Sequence, residues 1–446
     1  MPLIPPDQLA SFSTQLSESA HLRTDGVDVA GLAERVSDHV IAPAELSDVV
    51  SSRGLEDFAG LTIRPFLPLR YALDLGPFSK AIVDGVKDQS AGFAFQLREN
   101  GVPKISMWWS AARGPSDGDQ LWNPDIRMHV ASVSKLMTAM AMTQLLADHG
   151  ISPDVPIAPY LPAYWARGPH VGEITFAQLM THRSGFDTGG SASDYATMKN
   201  QVAMGVPAVG GYVYQNVNFG LCRILLSTIN GDISTALRLP FGDAINDNLW
   251  DVTTLEAYRR YVTDVVFAPA GVTGPSLSHP DEDALAYDFP VRQAGWNSGD
   301  LATMSGGAGW HLSVDDLLAV MGTFRRAGSV VSTGAAAAML KNSFGVDVVQ
   351  STPAGWVYAK GGYWSQGSTG RAEQAMVCFL PGGMELALLV NSPVGAPTVS
   401  LQNLVLQAFL DHLVPIFELV TPERHLGFGR TRVDERVHPF PVLVQP

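Results

Sequence analysis

Residues 128–146 read M-H-V-A-S-V-S-K-L-M-T-A-M-A-M-T-Q-L-L. The run from Leu136 onward is long and continuously apolar, as a helix sunk in a core must be. At its start stand Ser132 and Lys135 in an S-x-x-K spacing. Positions i and i+3 share a helix face, so the Lys135 ammonium can reach the Ser132 hydroxyl. A serine hydroxyl is a weak nucleophile until a base takes its proton. Lysine can be that base only where burial or a nearby cation lowers its pKa, and a core helix supplies burial. The free N–H groups of a first helical turn would also favour an oxyanion there. The plainer alternative is a buried helix with an incidental Ser and Lys.

The rest of the chain narrows the setting. Its 446 residues suffice for one large domain or two ordinary ones, and 46% hydrophobic with 16% charged residues describes a globular protein. A net charge of −14 gives no encouragement to binding of nucleic acid or anionic membranes, both of which want basic patches, and an anionic substrate would need a local cation. Cys222 and Cys378 lie far apart inside apolar runs, which suggests buried thiols; no metal-ligand spacing exists, and no cofactor is expected. The start, M-P-L-I-P-P-D-Q, lacks the basic flank and apolar segment of a secretory leader, and no stretch has the length of a membrane span; a cytoplasmic location is expected.

Residues 1–70 form an acidic stretch with a helical piece at 29–40, read as an N-terminal extension. A helix is expected over 78–87 with Pro77 in its first turn, then strands at 92–97 and 104–110 around Asn100-Gly101. A short helix in 174–186 ends at Ser184-Gly185. A polar loop at 212–220 leads to an apolar helix at 221–229, and a further helix is expected at 254–267. Ser313 is the natural N-cap of a helix reaching Phe324, with Asp315 and Asp316 in its first turn. Strands at 356–362, 374–380 and 385–391 precede a helix at 399–413, and 421–446 reads as a surface tail.

Two more phrases bear on chemistry. Tyr214-Gln215-Asn216 offers a phenol that could relay a proton and an amide that could orient a carbonyl. Lys360-Gly361-Gly362 ends an expected strand, where glycines permit close approach and the lysine adds a cation.

In this order, S-x-x-K, Y-x-N about eighty residues later and a Lys-Gly strand near the C-terminus resemble the serine β-lactamase and penicillin-binding-protein superfamily. The nearest resemblance is to class C β-lactamases, D-alanyl-D-alanine carboxypeptidases and family VIII carboxylesterases. It is carried also by I-T-F-A-Q-L-M-T-H-R-S-G-F, V-V-F-A-P-A-G-V and G-A-G-W-H-L-S-V-D-D-L, and it covers 77–413. The resemblance implies an α/β (α+β) fold: an antiparallel sheet built from both chain ends and flanked by helices, in a domain over 71–420 with a mostly helical region inserted at about 140–345. It implies that Ser132 is the acylated nucleophile, Lys135 its base or proton partner, and Tyr214 a sharer of that proton. Asn216 would hold the acyl side of the substrate and Lys360 would attract a carboxylate. The backbone N–H groups of Ser132 and of Tyr363, just past Gly362, would form the oxyanion hole. His182 would be structural.

One departure matters. The β-lactam-hydrolysing members carry a hydroxyl residue after the third-motif lysine, and here Gly361 stands in that place. The expected activity is therefore hydrolysis of a small-molecule carboxylic ester or amide through an acyl-enzyme. Alternatives are a β-lactamase or D-amino-acid peptidase, an acyltransferase, or a non-catalytic acyl-ligand-binding relative. Ser365, Ser368 and Asn391 are candidates to replace the missing hydroxyl.

Overall fold

A computed structural model describes residues 70–187, 192–395 and 397–416, nearly all within one compact unit, Arg70–Pro415. The expected extension over 1–70, its helix at 29–40, and the tail from 421 lie outside the described residues. The sheet comes from both ends of the described chain. From the first end come β1 (Gly92–Glu99), β2 (Val102–Arg113) and β3 (Gln120–Leu121). From the other come β4 (Val348–Thr352), β5 (Gly355–Ser365), β6 (Ala372–Leu380) and β7 (Met384–Val390). All pairs are antiparallel, in the order β3-β2-β1-β7-β6-β5-β4. The junction of the two halves is β1 against β7, with Phe95 opposite Leu388.

Period-two alternation decides which side chains go to which layer. Phe93, Phe95, Leu97, Met376, Cys378 and Leu380 face a layer made with α1 (Leu75–Val86) and α9 (Leu401–Asp411). Burial of each of its large side chains contributes roughly 1.5–3 kcal/mol. The alternate residues Ala94, Ala375, Val377, Phe379, Ala387 and Leu389 face the larger core. There α2 (Ser134–Asp148) lies as the central helix, with buried residues on every side, among α5 (Asn216–Ile229), α6 (Asp243–Val262) and α7 (Val314–Gly322). The shorter helices of the set are α3 (Phe176–Met180), α4 (Tyr195–Met204) and α8 (Thr333–Lys341). Among the described residues no helix is long and apolar enough to cross a membrane, and both cysteines are free and buried.

Ser313 caps α7 in a capping box with Asp316, and Thr175 does the same for α3 with Gln178. Several expectations need correction. The helix expected from 221 starts at Asn216, so Asn216 stands in a first helical turn and not in a loop. The helix expected over 254–267 begins at Asp243 and passes into a π turn at Thr263–Phe267. Strand β4 and helices α4 and α8 have no counterpart in the sequence reading.

Asn391, a candidate cleft hydroxyl substitute, is instead a buried clamp. Its amide donates to the carbonyls of Ala111 (3.0 Å), Ala112 (3.2 Å) and Leu285 (3.0 Å), and its Oδ1 accepts from Trp122 Nε1 (3.3 Å). Replacing it with leucine strands buried carbonyls and an indole N–H, so Asn391→Leu should lose roughly 2–5 kcal/mol of stability. A thermal melt reads this as a drop of several degrees; a Tm within about 1 °C of the parent would show that the clamp carries no weight.

Candidate active site

Ser132 sits in a 3-10 turn, Ala131–Val133, that runs straight into α2. The turn is sewn to the strand-like segment 309–312. Val130 N–H donates to Trp310 O (2.9 Å), Trp310 N–H donates to Ser134 Oγ (3.2 Å), and Met128–His129 pairs with His311–Leu312. Ala131 carries φ +47°, a left-handed conformation that costs a residue with a Cβ and is tolerated where the surroundings enforce it. On its other side β5 presses so close that a Cβ at Gly362 would stand 2.5 Å from Val130 O and 3.1 Å from Ser132 N. Only glycine permits that approach, and it brings β5 to the serine's own backbone amide.

Lys135 is fully buried, and its Nζ donates to Ser132 Oγ (2.9 Å), Asn216 Oδ1 (2.6 Å) and Gly307 O (2.7 Å). The Gly307 carbonyl comes from a glycine-rich stretch whose backbone is pinned in turn by His129, which accepts from Gly309 N–H through Nε2 (3.1 Å). Burial depresses the Lys135 ammonium to a pKa of about 8; the neighbouring Tyr214 opposes that shift and Lys360 reinforces it.

Tyr214 approaches from the loop ahead of α5, and its hydroxyl donates to Ser132 Oγ at 2.7 Å. The residue is 40% exposed, yet Lys135 and Lys360 each place a nitrogen 5.0 Å from its ring centre. Burial of the hydroxyl end pushes its pKa up, but the Lys135 and Lys360 charges outweigh this and hold the phenol below its ordinary value. His182, with φ +56°, lies under the ring at 4.2 Å and accepts from Gln215 N–H (3.3 Å) and Asn218 Nδ2 (3.1 Å) through Nδ1. Burial first, then Lys360 and Lys135, drive its pKa down to about 2, so it is a neutral platform for Tyr214.

The structure thus brings Ser132, Lys135, Tyr214 and Asn216 together, and Lys360, Gly362 and Tyr363 line up on β5 beside them. Asn216 is engaged with Lys135, and Lys360 is buried with its Nζ 2.5 Å from Asp347 Oδ1. Burial would lower the Lys360 pKa, but the charges of Tyr214 and Asp347 more than reverse this and raise it, so it stays an ammonium. Asp347 escaped the sequence reading. It precedes the missed strand β4, and its contact with Lys360 arises only when β4 and β5 pair, where Asp347 N–H donates to Ala359 O (2.8 Å). Ser132, Tyr214, Asp347, Gly362 and Tyr363 border one cavity of about 430 Å³, which Ser400 and Gln402 at the start of α9 also line.

A family model described as Beta-lactamase matches residues 78–408. Over 139 residues the chain is 30% identical to Esterase/beta-lactamase LipL of Mycobacterium tuberculosis; the match takes in 29% of this chain and 31% of that curated relative's length. Among solved structures, the fold is shared with the octameric penicillin-binding protein homologue from Pyrococcus abyssi (TM-score 0.55, 17% identity, 72% of this chain and 74% of that one). It is shared as well with a class C beta lactamase from Rhodobacter sphaeroides (0.54, 15%, 75% and 99%) and a D-stereospecific amidohydrolase from Streptomyces sp. (0.51, 19%, 75% and 98%).

The Lys135 and Tyr214 shifts generate a pH dependence. The form able to take the Ser132 proton is the deprotonated one, so reactivity should rise with pH until the group of pKa about 8 is titrated. The rate of covalent labelling by a fluorophosphonate should climb roughly tenfold per unit between about pH 5.5 and 7 and level off above about pH 8.5. A flat profile would remove this pair from proton transfer.

Proposed function

This chain belongs to the Beta-lactamase family and has its fold, and from that premise we propose that it is a serine hydrolase that cleaves carboxylic esters or amides through an acyl-enzyme on Ser132. The observation that carries the reading is the position of Ser132 Oγ, within hydrogen-bond distance of both Lys135 Nζ and the Tyr214 hydroxyl. In the proposed reaction Oγ attacks the substrate carbonyl while its proton passes to the Lys135–Tyr214 pair. The backbone N–H groups of Ser132 and Tyr363, brought together by the close approach at Gly362, receive the oxyanion. Tyr214 returns a proton to the leaving group, and a water activated by the same pair then releases the acyl group and restores Ser132. Asn216 positions Lys135 through its Oδ1.

Ser132→Ala should abolish both turnover of p-nitrophenyl butyrate and covalent labelling by a fluorophosphonate, a loss of about a thousandfold or more. Labelling that persists in this variant would assign the nucleophile elsewhere.

Substrate ranking follows from Gly361. A hydroxyl beside the third-motif lysine would contribute a charge-assisted hydrogen bond to a substrate carboxylate, about 1.5–3 kcal/mol, or one to two decades in binding. Here Gly361 stands at that position, and a Cβ there would face Gln402 Oε1 at 3.3 Å. Small neutral esters should therefore be better substrates than cephalosporins. The check is kcat/KM for p-nitrophenyl butyrate against nitrocefin on one preparation, and nitrocefin ahead by about tenfold would overturn the ranking.

A further inference from the structure

We infer that Asp347 sets the charge specificity of this cleft: its carboxylate, tied to Lys360 and open to the cavity that holds Ser132, selects acyl donors that are neutral or carry an ammonium over those that carry a carboxylate. The inference rests on the serine hydrolase reading and adds the charge class of its substrate. The Lys360–Asp347 pair is asymmetric in its exposure. The lysine side chain is 1% exposed and the aspartate 21%, so the pair turns its negative end toward solvent. Lys135, the other cation of the site, is fully buried and already donates to three acceptors. Among the described residues that border the cavity, Asp347 is the charged one.

Oδ1 of Asp347 holds Lys360 at 2.5 Å, whereas Oδ2 has only a long contact of 3.5 Å with Gly361 N–H. A carboxylate oxygen offers two acceptor sites, so Oδ2 keeps capacity for a donor from the cavity. A substrate carboxylate arriving there meets a like charge, and it cannot reach the Lys360 ammonium without displacing its partner. The amino end of α9 borders the same cavity near Ser400 and Gln402 and carries the partial positive charge of a helix start. That is roughly half an elementary charge, against a whole one on Asp347. Lys360 neutralises the pair as a whole, so the selection comes from its orientation: the carboxylate lies at the cavity wall, and the ammonium is buried behind it and already partnered.

The test uses three p-nitrophenyl esters of similar length on the full chain: the pentanoate, the glutarate monoester and the 4-trimethylammoniobutyrate. The parent should turn over the glutarate least and the trimethylammonium ester at least as well as the pentanoate. In Asp347→Asn the glutarate-to-pentanoate ratio of kcat/KM should rise about tenfold. Taking the ratio cancels any general loss of catalysis in the variant. One charge removed from a chain of net −14 changes the long-range field little, so the shift reports the cleft itself. Should Asp347→Asn fail to fold, the parent's own ranking decides, and a glutarate turned over as well as the pentanoate overturns the inference. An unchanged ratio in the folded variant overturns it too, while leaving the hydrolase reading in place. Turnover of none of the three esters overturns both.

Discussion

A lysine ammonium buried in an apolar core is the constraint around which this site is built. Uncompensated, it would cost several kcal/mol, and the chain offsets that cost by converging three acceptors on Lys135 Nζ from three separate elements. Ser132 arrives on the turn ahead of α2, Asn216 on the first turn of α5, and Gly307 on the stretch that His129 holds. The rings of Tyr214 and Phe219 lie 5.0 and 5.9 Å from the same nitrogen. Shifting any of these elements changes both the solvation of the cation and its readiness to give up a proton. Packing and acid–base chemistry are here one property. An apolar side chain of similar length would fill the same space without a solvation penalty, which is why a lysine in this place argues for a chemical role.

The second cation is handled differently. Lys360 has a full anionic partner in Asp347, and its charge state is fixed, whereas Lys135 has only neutral acceptors and lies close to titration. Tyr214 sits between the two, with its ring equally distant from both nitrogens. Two buried lysines flanking one phenol thus differ in kind. The ion-paired one is a constant field that favours the phenolate, and in the proposed reaction the neutral-caged one is the partner able to exchange protons.

Much of this was legible in the sequence, for reasons that also explain what was not. The stretches 374–380 and 385–391 are short, nearly continuous apolar runs, and their turn, Pro381-Gly382-Gly383, is plain, so β6 and β7 fall within a residue or two of expectation. The Ser132–Lys135 contact follows from helical geometry alone. The missed helix starts share one cause, polar residues on a buried face. In α6 the buried positions are Asn246, Trp250, Thr254, Ala257, Tyr258 and Val262, a helical period in which Asn246 and Thr254 disguise the stripe. Asn246 is buried because it satisfies the backbone of Leu239 and Gly242. In α5 the same disguise is worn by Asn216 and Asn218, which bond to Lys135, to His182 and to Ser184. A hydrophobic pattern cannot register a polar side chain whose partner lies elsewhere in the chain. Asp347 belongs to the same class, since its partner is fixed only by strand pairing.

The position of Ser132 depends finally on a conflict that the fold holds in balance. The α2 helix begins where Ser132 borders the cavity, and β5 comes close against the backbone of Val130 and Ser132. These positions leave no room for a side chain at Gly362 and push Ala131 into the left-handed region. Neither feature would persist in an isolated turn, where Ala131 would relax and β5 would withdraw. They persist because β5 is paired with β6 from Tyr358 to Ser365 and because Val130 and Ser134 on either side are bonded to Trp310. The sheet supplies the rigid edge, the buried helix supplies the serine, and strain at a single alanine is what their convergence leaves behind.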